Sequence, residues 1–156
     1  MTLATLAIHA ESWLQEELGA QRSMLDVLGR IEGAARSGKG PELAAAGHEL
    51  EGLLAGTAPR EARRAALLAK LGAALGLAVP AVTLTTLSLR LAEHGLETAR
   101  LESLRAELHE TVTAVMHASR RMAALAQYHR GFFEELCQLL SAGAPTEQGH
   151  LVDARA

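Results

Sequence analysis

From Leu96 to Leu140 the chain contains no proline and repeats apolar residues at helical spacing. Steps of seven from Leu101 reach Leu108, Val115, Met122, His129 and Leu136. Steps of seven from Leu104 reach Thr111, Ala118, Leu125, Phe132 and Leu139. These are the a and d rows of a heptad, the pattern of a helix that buries one seam against a partner. A third row, Val112, Ser119, Ala126, Phe133 and Leu140, widens the stripe. A stripe that broad calls for more than one neighbour, so a bundle is expected rather than a bare two-stranded zipper. At the α-helical rise the helix would be about 65 Å long, which predicts an elongated molecule.

The chain has 156 residues, enough for one domain of ordinary size. Hydrophobic residues make up 49% and aromatic residues only 3%, so the core must be built from Leu, Ala and Val. Scarce β-branched residues outside 79–86 and 111–115 complete an all-α composition. The net charge is −3 and no long basic run occurs, which removes the electrostatic footprint of a nucleic-acid binder. The N-terminus lacks the basic start and apolar stretch of a signal peptide, and no apolar run is long enough to span a bilayer. These features predict a cytoplasmic protein with no membrane insertion. The single cysteine, Cys137, lies in an apolar helical context and reads as a small buried hydrophobe.

Along the chain, residues 3–36 carry apolar residues at alternating threes and fours and form the first helix. Its acidic residues Glu11, Glu16 and Glu17 mark a solvated face. Ser37-Gly38-Lys39-Gly40-Pro41 ends it, with Gly38 suited to a left-handed stop and Pro41 to the first position of the next helix. So short a connection makes the two helices antiparallel neighbours. The second helix runs from Pro41 to about Leu75, with a kink or break expected at 55–58 because of Pro59, and Thr57 as the cap of the restart. Residues 76–83 are the longest non-helical connection, and Thr83 caps a short helix over 84–94. The architecture is therefore an elongated antiparallel bundle, long-long-short-long. It forms one domain over 1–142, followed by a flexible tail over 143–156 that contains Gly143, Pro145 and Gly149.

Few residues stand in patterns that carry chemistry. Di-iron bundles need Glu-x-x-His on two helices, whereas this chain has it once, at Glu147 and His150 in the Gly- and Pro-containing tail, and there is no cysteine pair, P-loop or Gly-x-Ser-x-Gly. No metal or cofactor is expected. His109 and His117 read as surface or bundle-edge residues, and His129, on the seam, as a hydrogen-bonded core or interface residue. Ala46-Gly47-His48-Glu49-Leu50-Glu51-Gly52 resembles the signature of histidine phosphotransfer domains. The basic residue that follows the leucine in those domains is replaced here by Glu51, which would repel a phosphoryl group.

The order of helices, together with several segments, resembles the FlgN family of flagellar export chaperones over most of residues 10–142. The matching segments are the Ser37-Gly38 stop followed by Pro41-Glu42-Leu43, the run from Arg64 through Leu67-Leu68 to Leu71-Gly72, and the long last helix finishing in Phe132-Phe133-Glu134-Glu135-Leu136. The chain departs from the family pattern where His117-Ala118-Ser119 stands in place of asparagines. It departs again in the tail, which has no tyrosine where many members carry the Tyr-Gly associated with docking to the export gate.

The resemblance implies a cytosolic chaperone without enzymatic activity. Such a chaperone binds the C-terminal amphipathic segments of the hook–filament junction proteins FlgK and FlgL, prevents their early assembly and delivers them to the export apparatus. It also implies client contacts toward the C-terminal end. Three of the four aromatic residues, Tyr128, Phe132 and Phe133, sit there, so the expected client-binding set is Leu125, Tyr128, Phe132, Phe133, Leu136, Leu139 and Leu140. Phe132 and Phe133 are about 100° apart on a helix, which lets one face the bundle and the other a groove. Two alternatives remain at this point, a phosphotransfer module using His48 and a structural coiled-coil dimer without a client. The pattern accommodates a monomer and a homodimer alike.

Overall fold

The computed structural model describes residues 2–142, with side-chain surroundings given through Gln138. The expected tail, 143–156, lies outside the described residues. Among the described residues there are five α-helices, one 3-10 turn and no strand, so the fold is all-α. Internal contacts divide the chain into two units, residues 1–120 and residues 121–156, and each is taken by itself.

In the first unit, α1 (Leu3–Arg36) starts where the Thr2 hydroxyl accepts the Thr5 N–H at 3.2 Å. The hydroxyl satisfies one of the amides a helix start leaves open. The helix ends as the glycine predicted. Gly38 adopts φ +66°, and the Lys39 N–H folds back to the Ala34 carbonyl at 3.0 Å. This left-handed closure satisfies a carbonyl that would otherwise face solvent, and it turns the chain at once into α2 (Gly40–Ala55). The same closure, through Leu77 to Gly72 and Leu96 to Leu91, ends two later helices.

The expected second long helix exists in two pieces, α2 and α3 (Thr57–Leu75), interrupted at Gly56. Restarting at Thr57 puts Pro59 in the first turn of α3, where its missing N–H needs no helical acceptor. Thr57 is not the cap, however. Gly56 takes that position, and the Thr57 hydroxyl instead accepts from the Arg60 guanidinium at 3.3 Å.

Cross-helix ion pairs fix the direction of packing. Arg30 meets Glu49 at 2.7 Å, Arg60 meets Glu17 at 3.3 Å and Arg63 meets Glu16 at 2.8 Å. As the α1 number falls the partner number rises, so α2 and α3 run antiparallel to α1. The hydrogen bond to Glu49, with Asp26 adding to it, pushes the Arg30 guanidinium further above its ordinary range. The expected solvated acidic face is only partly found. Glu16 is exposed, but Glu17 is largely covered and held by Arg60 and by the Gln21 amide at 2.7 Å. A carboxylate on the flank of a packed helix keeps its charge under cover only with such partners.

After α3, a 3-10 turn (Val79–Ala81) leads into α4 (Leu84–Glu93). A reciprocal capping box between Thr83 and Thr86 starts α4. The last helix, α5 (Ala99–Ala142), begins in the first unit. The core gathers Leu6, Ala10, Leu14 and Leu18 of α1 with Leu71, Val82, Leu87, Leu91, Leu101 and Leu104. Each such leucine contributes roughly 1.5–3 kcal/mol by leaving water. The later part of α1 buries Val27, Leu28, Ile31 and Ala34, and Ala46 is the buried residue of α2. Small residues there let the two backbones approach.

Candidate functional site

The a and d rows of α5 do not keep one environment. In the first unit Leu101, Leu104 and Ala118 are buried, and Leu108, Thr111 and Val115 are half-buried. Arg22 of α1 binds Glu107 at 3.0 Å beside this stretch.

In the second unit Met122 and Leu125 are half-buried, whereas His129, Phe132 and Leu136 are exposed. Off the two rows, Tyr128 and Phe133 are exposed as well. Tyr128 keeps 71% of its surface in solvent, Phe133 60%, Phe132 52% and Leu136 40%. At about 100° per residue, positions 122, 125, 128, 129, 132, 133 and 136 fall within an arc of about 140°. That is the width of a stripe built to be covered. Arg130 and Glu134 lie on the opposite side, paired at 2.9 Å. The rings are held by each other, Tyr128 edge-on to His129 at 5.9 Å and Phe132 edge-on to Phe133 at 6.1 Å. These contacts are local to the helix.

Of the expected client-binding residues, Leu125, Tyr128, Phe132, Phe133 and Leu136 lie on this stripe. The side chains of Leu139 and Leu140 lie outside the described residues. Phe132 and Phe133 are both exposed. His129 is exposed too and is not a core residue, and Cys137, at a heptad position off the seam, is exposed rather than buried. A heptad row fixes which side chains share a face, not whether a neighbour covers it.

His48 stands almost fully in solvent, its Nδ1 3.5 Å from the Glu51 carboxylate. That charge sits where an incoming phosphoryl group would have to approach. Among the described residues, no group of three histidine, cysteine or acidic side chains is arranged to hold a metal ion. No helix of the described residues is long and apolar enough to cross a membrane. The first unit has a crevice of about 350 Å³ bounded by Trp13, Arg64, Leu67, Leu68, Leu84 and Leu108. Sequence reading missed it, because its walls come from four separate segments. The chain's single tryptophan, Trp13, forms part of its wall.

No known protein family, no characterised protein and no solved structure matches the chain.

Proposed function

We propose that this chain is a binding protein without enzymatic activity, a chaperone of the flagellar export type working in the cytoplasm. Its clients are the C-terminal amphipathic segments of hook–filament junction proteins such as FlgK and FlgL, held until the export apparatus receives them. The observation that carries this reading is the exposure of Tyr128, Phe132, Phe133 and Leu136 on one helical stripe. An unassembled client segment is an amphipathic helix without its partner. A rigid helix face with aromatic anchors offers it apolar cover, as helix-in-groove recognition requires. The resemblance in the order of helices supports the choice of client class.

Calorimetric titration with a junction-protein C-terminal peptide tests the proposal. Tyr128→Ala, Phe132→Ala and Phe133→Ala should each keep the melting temperature and weaken binding by about 2 kcal/mol, roughly thirtyfold, for the anchors that matter most. An unrelated amphipathic helix that binds equally well would remove the client assignment. Variants that bind as tightly as the parent would remove the site.

A further inference from the structure

The exposed part of α5 is a heptad seam that ends uncovered, and a seam of this composition complements itself. We infer that a second copy of the chain docks on it, the two segments 125–136 running antiparallel.

Register favours this occupant. Met122, His129 and Leu136 fill the a row, and Leu125, Phe132 and Leu139 fill the d row. They continue the heptad count of Leu101, Leu104 and Leu108, which pack against the α1 leucines. Aligned antiparallel over this span, every seam residue meets a seam residue of the other copy. Leu125 faces Leu136, and the His129 ring faces Phe132. The flanking rows agree as well. Tyr128 of one copy comes level with Glu135 of the other, a phenolic donor beside a carboxylate acceptor, and no like charges are brought together. Parallel pairing would set Tyr128 beside Phe133 of the other copy and lose the phenol–carboxylate pair.

Area points the same way. The exposed fractions of Tyr128, Phe132, Phe133 and Leu136, applied to aromatic side chains of about 150–250 Å² each, leave on the order of 400 Å² of apolar surface per copy. Two copies cover about 800 Å² from these side chains alone. Met122, Leu125 and the flanking rows raise the total toward the roughly 1,200 Å² of a specific interface. A pairing of this size is weak and reversible, and it shields the stripe until something binds more tightly. It does not depend on the client reading, because it is measured with no client present.

The full chain is examined by light scattering after gel filtration from about 1 µM to about 300 µM, a range that brackets micromolar association. The expected mass rises with concentration from 16.5 kDa toward twice that value. Phe132→Glu should weaken association at least tenfold at unchanged helicity. His129→Leu should strengthen it at least tenfold, because it removes the polar residue from the a row. Glu134→Gln, on the opposite face, should leave it unchanged. A spin label on Cys137, the chain's single cysteine, reads the direction. Antiparallel pairing offsets the two labels by about 20 Å along the axis, whereas parallel pairing brings them level. A 16.5 kDa species at every concentration, a dimer indifferent to Phe132→Glu, or labels side by side would each overturn the inference.

Discussion

Leu104 and Phe132 occupy the same heptad row of the same helix, yet Leu104 is 2% exposed and Phe132 is 52% exposed. Replacing each with alanine separates what the pattern shares from what burial adds. Leu104→Ala removes three carbons from the core formed with α1 and α4. At about 0.8 kcal/mol per buried methylene the transfer loss is about 2.4 kcal/mol, and an incompletely relaxed cavity brings the total to about 3–4 kcal/mol. At about 2–4 °C per kcal/mol for a chain of this size, the melting temperature should fall by about 6–15 °C. Phe132→Ala removes a larger side chain, but one already half in water that touches only its own helix neighbours among the ring contacts. The greater helix propensity of alanine offsets about 0.5 kcal/mol of whatever is lost. The melting temperature should therefore stay within about 2 °C. The measurement is circular dichroism at about 1 µM protein, where association contributes little. Equal destabilisation by the two substitutions would refute the reasoning, since it would mean that Phe132 is covered in the folded chain.

Gly72→Ala should destabilise by more than 1 kcal/mol or so, because its Cβ would lie 2.8 Å from the Leu77 carbonyl oxygen, a backbone atom that cannot swing away. Gly19→Ala, in open space on α1, should instead stabilise by about 0.5–1 kcal/mol; denaturant titration of both checks the contrast. Thr83→Ala removes the capping box of α4 and should cost about 1 kcal/mol in the same assay. Glu17→Ala leaves the largely covered Arg60 guanidinium without its carboxylate and should cost about 1–3 kcal/mol, whereas Glu16→Ala, at an exposed pair, should change stability by under about 0.5 kcal/mol. Equal effects at Glu16 and Glu17 would show that coverage does not govern these pairs.

Helix starts and stops are legible in local sequence. Gly38 supplies the left-handed turn, Thr83 and Thr86 the reciprocal cap, and Pro59 a break at the residue before Thr57. Each acts through backbone geometry and hydrogen bonding within a few residues, so no distant neighbour is needed to read it. The sequence also showed that the heptad positions from Leu101 to Leu136 form one continuous apolar stripe, because a seven-residue repeat drifts only about 20° per heptad around a helix. Which of those positions are covered depends on the packing of other elements. Leu101, Leu104 and Ala118 are buried, whereas Tyr128, Phe132, Phe133 and Leu136 are left in solvent, though the periodicity does not change between them. The same packing leaves Glu17 clasped, Glu16 solvated and Cys137 exposed. Burial depends on whether another element lies alongside, and that depends on residues far away in the chain, which periodicity does not record.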